Sequence, residues 1–172
     1  MNAPLAVETY DRSTTTAASA VVEVLAHLGV EGAVGVADSQ LADVMAALSA
    51  RMPVTFTVRE DIAVGMAFGA DLAGVHHAVF MKNAGLGTSL DALVSLALGA
   101  VTPLTIVIGW AGAGTDTLPH HVVAGQRTVA LLEAIGVAFD VVERDDNDVD
   151  RLVAQARDCR ARGLTFVLLV RP

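Results

Sequence analysis

The stretch from Ala92 to Trp110, ALVSLALGAVTPLTIVIGW, decides which kind of fold this chain can adopt. No charged residue occurs between Ala92 and Thr115, and a segment of that length and hydropathy is typical of a membrane span. Pro103, however, separates a helix-forming half from a half rich in β-branched residues, and glycines follow at once. The pattern therefore predicts a helix, a turn and a buried strand of a globular domain.

The same alternation of helix and strand extends in both directions. Helices are predicted over 17–28, 38–51, 59–74, 85–101, 121–135 and 148–162, and strands over 32–36, 54–58, 78–82, 104–110, 137–142 and 165–170. Such alternation requires crossover connections, so we predict an α/β fold with three αβα layers: an open, mainly parallel six-stranded sheet with helices on both faces. We expect residues 1–12 to form a flexible arm and residues 13–172 a single domain.

Composition excludes several classes of function. A formal net charge of -8 and a pI near 4.9 argue against a nucleic-acid-binding protein, which would carry clustered Lys and Arg. Cys159 is the only cysteine, which excludes an internal disulfide framework and a thiolate metal cluster. The N-terminus does not have the pattern of a signal peptide, so we expect a cytoplasmic protein without a membrane span and without a metal site of its own.

The predicted central helices are apolar on nearly every side. Only three charged residues lie between positions 62 and 110, whereas the segment 143–163 holds eleven. A sheet can cover one side of such a helix, so the other side should be buried by a second chain. Gly65 and Gly69 could allow another helix to approach closely, or could simply pack on the sheet.

Unusual residues follow four of the predicted strands, in segments 36–39, 59–61, 83–88 and 110–121. Because the strands are parallel, these segments should meet at one edge of the sheet, where open α/β sheets bind ligands. Glu60 is an ordinary first-turn acid in one interpretation. In the other interpretation it is buried at the interface and shares a proton near neutral pH. Asp61 is expected to stay solvated as the helix cap.

Two further segments at this edge carry candidate chemistry. The loop Asn83–Thr88 (NAGLGT) contains two glycines that let backbone approach a ligand, although it could be only a tight turn. His120 and His121 follow a glycine-rich loop and can act as an acid, a base or an orienting donor, or remain partly buried polar residues. Adjacent histidines cannot easily bind one metal ion, so we do not expect zinc.

Four segments carry a resemblance to a known family: GVADS (35–39), REDIAVGMAFGADLAG (59–74), KNAGLGTSLDALVSL (82–96), and GW followed by LPHHVVAGQRT and LLEAIG (109–136). In order and spacing they resemble the pyrimidine-binding domain of thiamine diphosphate-dependent 2-oxo acid decarboxylases. Within that family they are most similar to the sulfopyruvate and phosphonopyruvate decarboxylases. The resemblance covers about residues 32–136 and continues loosely to the end of the chain.

The resemblance implies roles for individual residues. Glu60 would hydrogen-bond N1′ of the cofactor's aminopyrimidine and promote the tautomer that removes the thiazolium C2 proton. His120 and His121 would handle protons on the reaction intermediate, and either could be the active one. The other implied cofactor-binding residues are Asn83, Gly85, Leu86 and Gly87. The implied substrate-binding residues are Asp38, Ser39, Asn83 and His121.

The domain that binds the diphosphate in that family has no counterpart in this sequence. The diphosphate and Mg²⁺ are bound in that family by a G-D-G motif on a second domain, and no G-D-G occurs here. The resemblance therefore implies an α subunit of a split enzyme that works with a separate β subunit, in an α2β2 or larger hetero-oligomer. The β subunit would hold most of the diphosphate and the metal.

One departure from the family bears on the substrate. Trp110-Ala111-Gly112 stands where the sulfonate and phosphonate decarboxylases have Trp-Arg-Gly, so their cation for the head group is missing. Three other cations could compensate: Arg59, Lys82 and Arg127. The sequence leaves open which 2-oxo acid is used, and also a carboligation through the same intermediate. It further leaves open a non-catalytic ligand-binding or regulatory module and an isomerase without thiamine. The absence of a G-x-S-x-G elbow speaks against a hydrolase.

Overall fold

The computed structural model describes residues 16–145 and 147–172. Within these ranges the strands are β1 (Gly32–Gly35), β2 (Val54–Phe56), β3 (His77–Lys82), β4 (Thr105–Gly109), β5 (Ala138–Val142) and β6 (Phe166–Val170). The α-helices there are α1 (Ala17–His27), α2 (Ala42–Ser49), α3 (Glu60–Leu72), α4 (Gly85–Ala92), α5 (Pro119–Ala134) and α6 (Val149–Ala161). The flexible arm expected over residues 1–12 lies outside the described residues.

The strands form one six-stranded sheet in the order β2-β1-β3-β4-β6-β5, and every neighbouring pair is parallel. The predicted α/β fold is therefore confirmed, and the sheet is parallel throughout. After β1 the chain moves to β2 on one side, whereas after β3 it moves to β4 on the other. The gap between β1 and β3 at their carboxyl ends is thus the topological switch point, where sheets of this type bind ligands.

Alternate residues of each strand face opposite layers of helices. In β4, Val107 belongs to the core cluster covered by α1, α2 and α6, whereas Ile106 and Ile108 belong to the cluster covered by α3, α4 and α5. Burial on both faces explains why the strands are continuous apolar runs in the sequence. It also explains how a chain with 4% aromatic residues fills its core with Ala, Val, Leu and Ile.

The helix, turn and strand predicted on either side of Pro103 are confirmed, but the helix ends earlier than expected. Helix α4 passes into a π-helical segment (Leu93–Leu98), and Val101 then takes a left-handed backbone with φ of 56°. The chain must leave the helix before Pro103, because proline disfavours helical backbone at the preceding residue. None of the helices in the described ranges has the length and hydropathy needed to span a bilayer.

Exposed apolar side chains lie on α3 and on the π-helical segment that contacts it, and together we call them the apolar face. Its members are Ile62 (44% exposed), Met66 (45%), Leu72 (68%) and Val94 (44%). A Cβ built on Gly65 or Gly69 would meet no atom within 4 Å, so these glycines border open space rather than the sheet. This arrangement favours the close approach of another helix over the alternative in which the glycines pack on the sheet.

Candidate active site at the carboxyl edge of the sheet

Glu60 is the first residue of α3 and packs against the beginning of α4. A Cβ built on Gly85 would lie 2.5 Å from Cγ of Glu60 and 2.9 Å from both its Cδ and its Oε1. The half-buried carboxyl group therefore occupies space that only a glycine at position 85 leaves free. The glutamate and the loop glycine singled out in the sequence are thus in direct contact, and the amino end of α3 favours the negative charge there.

The neighbouring acid, Asp61, has a different environment. Its carboxylate accepts two hydrogen bonds from the guanidinium of Arg59, at 3.0 and 2.8 Å. This hydrogen bonding with Arg59 lowers the pKa of Asp61. Arg59 itself occupies the N-cap position, and no side chain caps the helix. Asp61 is therefore a partly solvated first-turn acid, paired with a cation rather than capping the helix.

Asn83 lies directly after β3 and is 4% exposed. Its Nδ2 donates to the carbonyl oxygen of Ala111 at 2.9 Å and to Oγ1 of Thr128 at 2.8 Å. These two bonds join the loops after β3 and β4 to helix α5 and fix the orientation of the amide. Oδ1 of Asn83 is buried and has no hydrogen-bond partner within the described ranges, so it is available to a donor from outside them.

Asp38 follows β1, on the other side of the switch point, and is 6% exposed. A Cβ on Gly109 would lie 2.4 Å from its Oδ2, so this carboxylate too reaches its position because the facing residue is a glycine. Oδ2 is buried and lacks a hydrogen-bond partner among residues 16–145 and 147–172. Burial raises the pKa of Asp38, although the backbone N–H of Gln40 and the charge of Lys82 oppose the rise.

A hydrogen-bonded row joins the end of β3 to the start of α5. Nζ of Lys82 lies 2.7 Å from Nε2 of His121, and Nδ1 of His121 lies 2.7 Å from Oδ2 of Asp116. An ammonium group can only donate and a carboxylate can only accept. The imidazole of His121 must therefore be the neutral tautomer with its proton on Nδ1, donating to Asp116 and accepting from Lys82.

Asp116 is the fixed end of this row. Its Oδ2 accepts from the backbone N–H of Gly112 at 3.0 Å and from Nε2 of Gln40 at 3.1 Å, and its Oδ1 accepts from the N–H of Leu118 at 3.3 Å. The N–H of Gly112, more than the bond with His121, lowers the pKa of Asp116. The carboxylate is therefore ionised near neutral pH and holds the imidazole of His121 in one orientation.

The other residues implied by the resemblance differ in exposure. His120 is exposed, and its ring meets the ring of His121 edge to face, with centroids 4.3 Å apart. Ser39 and Gly87 are exposed. Leu86 is 1% exposed and belongs to the core cluster under α3 and α4. Its side chain therefore packs in the core and anchors the segment 83–88.

Sequence analysis assigned no role to Asp116, Gln40 or Thr128, and considered Lys82 only as a substitute cation. Asp116 lies in the glycine-rich loop, five residues before His121, and this position in the sequence could have indicated a carboxylate that orients the imidazole. Gln40 and Thr128 carried no such signal, because their contacts span 76 and 45 residues of sequence.

The fold defines the class of protein to which these residues can be compared. It is shared with an X-ray structure of a Mycobacterium smegmatis protein proposed to be a thiamin diphosphate-dependent enzyme. The TM-score is 0.67 with 20% sequence identity, and the match covers 91% of this chain and 30% of that chain. At this level of identity the likeness establishes the fold.

Similarity in sequence leads to particular proteins. The chain is 34% identical over 88 residues to the sulfopyruvate decarboxylase subunit alpha of Methanococcus maripaludis. The aligned residues make up 51% of this chain and 51% of that protein. It is 33% identical over 88 residues to the same subunit of Methanothermobacter thermautotrophicus, covering 51% of this chain and 52% of that protein. Sulfopyruvate decarboxylase of Methanosarcina acetivorans is 25% identical over 122 residues, 71% of this chain and 32% of that protein.

These relatives confirm the resemblance predicted from the sequence. The chain matches only about half the length of the two alpha subunits, and about a third of the Methanosarcina acetivorans protein. No protein-family model matches the chain.

Proposed function

We propose that this chain is the α subunit of a split thiamine diphosphate-dependent 2-oxo acid decarboxylase. In this proposal residues 13–172 form a single, cytoplasmic pyrimidine-binding domain. A separate β subunit holds the diphosphate and Mg²⁺, and the two chains form a hetero-oligomer. The observation that carries the proposal is the contact between Glu60 and Gly85 at the carboxyl edge, beside an uncovered apolar face. The names of the similar proteins support the same conclusion.

The residues at this edge fit the pyrimidine end of thiamine diphosphate. Two buried oxygens, Oδ1 of Asn83 and Oδ2 of Asp38, have no partner in the described part of the chain and could accept hydrogen bonds from an amino group or from substrate. Glu60 could donate to or accept from a ring nitrogen. When bound, this cofactor supplies the electron sink for the electrons left behind as carbon dioxide departs.

Each residue of this chain then has a defined task. Glu60 would hydrogen-bond a ring nitrogen of the pyrimidine and would move a proton at its carboxyl oxygen. Asn83 orients the ring, because its amide is already locked by Ala111 and Thr128. Asp38 faces the substrate from the opposite side of the switch point. Burial of Asn83 and Asp38 excludes water and strengthens their electrostatic interactions.

Between the two adjacent histidines, the geometry favours His121 as the group near the chemistry. It is 9% exposed and hydrogen-bonded on both ring nitrogens, whereas His120 is exposed. Nζ of Lys82 donates to Nε2 of His121 and helps to hold the ring in place. Asp116 acts through His121 and is a positioning residue.

The decisive experiment replaces Glu60 with Gln, which keeps the size of the side chain but cannot take up a proton. The chain would be co-expressed with a partner that carries the G-D-G motif, and release of carbon dioxide from a panel of 2-oxo acids would be measured. We expect Glu60→Gln to reduce turnover by about 10²- to 10⁴-fold, the usual contribution of positioned proton transfer. Thermal unfolding and co-purification with the partner should be unchanged.

The outcome also separates the alternatives. Full activity of Glu60→Gln, or activity of this chain without any partner, would contradict the proposal. A wild-type complex that binds 2-oxo acids without turning over any of them would indicate a non-catalytic module.

A further inference from the structure

The structure distinguishes among the three cations that could replace the arginine missing from the Trp110-Ala111-Gly112 segment. The side chain of Arg59 is 60% exposed and paired with Asp61 on the outer end of α3. Arg127 is exposed on α5. Lys82, the last residue of β3, lies half-buried at the switch point and contacts His121. Of the three, Lys82 is therefore the one placed inside the candidate active site.

Lys82 has hydrogen-bonding capacity left after it binds His121. An ammonium group has three N–H donors, and one of them is directed to Nε2 of the imidazole. None of the ion pairs formed within residues 16–145 and 147–172 includes Lys82. Its positive charge is thus held in place by a neutral ring, without direct pairing to a carboxylate.

The two acids nearest this row do not neutralise that charge by contact. Asp116 is turned toward Gly112 and the far nitrogen of His121, so the imidazole separates it from Lys82. Asp38 is close enough for an electrostatic interaction, but it forms no ion pair with Lys82 within 4.0 Å. A held, unpaired cation at the ligand-binding edge of a sheet is suited to bind an anion.

The anion that Lys82 binds follows from the proposed reaction. A cation on the carboxylate that leaves would stabilise the substrate, in which the charge is localised, more than the transition state, in which it is dispersing. Such a contact would slow decarboxylation. A cation on a second anionic group, whose charge does not change during the reaction, improves binding without that penalty.

We propose that Lys82, held by the Asp116–His121 pair, is the specificity-determining residue that binds a second anionic group on the 2-oxo acid. This proposal rests on the proposed decarboxylase function. The substrate class is a 2-oxo acid with an additional sulfonate, phosphonate or carboxylate.

The test compares substrates that differ in charge. The complex with the partner subunit would be assayed with sulfopyruvate, phosphonopyruvate and the singly charged 2-oxobutanoate, in the wild type, Lys82→Met and Lys82→Arg. We expect Lys82→Met to lower kcat/KM for the two dianions by about 10- to 100-fold, mainly through KM, because one charge-assisted hydrogen bond is lost. Loss of the contact with His121 affects all three substrates alike, so the measured quantity is the ratio of the dianion values to the 2-oxobutanoate value; this ratio should fall by about the same 10- to 100-fold, and Lys82→Arg should restore part of it.

Arg162→Met is the matched control, because it removes one positive charge from the exposed end of α6, at the opposite edge of the sheet. It should leave all three values unchanged. Equal losses for dianions and 2-oxobutanoate in Lys82→Met would overturn the proposal and leave the decarboxylase function standing. So would a wild type that prefers 2-oxobutanoate.

A complex that decarboxylates nothing would instead contradict the proposed function. Calorimetric binding of sulfopyruvate and 2-oxobutanoate to the same complexes would then decide the role of Lys82 separately. Loss of sulfopyruvate binding in Lys82→Met alone would support it, and equal binding by wild type and variant would overturn it.

Discussion

Replacing Gly85 with alanine should displace Glu60 while leaving the fold intact. The added Cβ would lie 2.5 Å from Cγ of Glu60, whereas carbon atoms in contact are about 3.5–4.0 Å apart, so the side chain must move by about 1 Å. Rotation about the side-chain bonds of Glu60 would move Cγ away from the added methyl group. A displacement of about 1 Å at a reacting group costs about 10²-fold in rate, so we expect kcat to fall by that factor.

Gly87→Ala is a comparison variant in the same helix; the resemblance assigns Gly87 to cofactor binding, but the substitution keeps its backbone N–H and C=O. A Cβ there would meet no atom within 4 Å, and neither glycine has a positive φ. Alanine is the better helix former, so Gly87→Ala should be as stable as the wild type or more stable, by up to about 1 kcal/mol, whereas in Gly85→Ala the displacement of Glu60 offsets that gain. Chemical denaturation would measure this stability, and release of carbon dioxide by the complex with the partner would measure activity.

The two variants together make the reasoning refutable. If Gly85→Ala retained the activity of Gly87→Ala, the close contact would not be what places Glu60, and the site would have to be built differently. If Gly85→Ala unfolded or lost its partner, the glycine would serve packing rather than catalysis. Loss of activity in Gly85→Ala alone, at normal stability, is the expected outcome.

Two further predictions concern charge and the partner surface. Asp116→Asn should be less stable than the wild type at neutral pH, and the difference in stability should shrink as pH falls below about 4. The reason is that a carboxylate with a lowered folded-state pKa stabilises the fold only while it is ionised. Denaturation curves at pH 7 and pH 3 would measure this difference, and an equal difference at both pH values would contradict the prediction. Ile62→Asp and Met66→Asp should abolish co-purification with the β subunit without lowering the melting temperature of this chain, since both side chains are exposed in it. Retention of the partner by both variants would place the interface elsewhere.

The fold was predictable because its signals are local. Runs of β-branched residues such as Thr105–Ile108 form strands buried on both faces, and glycines such as Gly29 and Gly136 end helices with the left-handed backbone that glycine favours. Strict alternation of helix and strand then leaves few topologies other than a parallel sheet. Helix ends were less predictable: the helix expected to run to Val101 passes into a π-helical segment at Leu93, for which the sequence carries no distinct signal.

The sequence by itself determined a three-layer α/β chain with an incompletely covered apolar surface, and it placed Glu60, Asn83 and the histidines after strand ends. Periodicity and strand direction are sufficient for those conclusions. Only the tertiary structure decided that Glu60 lies against Gly85, that His121 rather than His120 is held on both nitrogens, and that Lys82 lies in the candidate site beside His121. The physical reason is that hydrogen bonds and steric contacts between distant segments depend on distances of a few ångströms, which the order of residues does not specify.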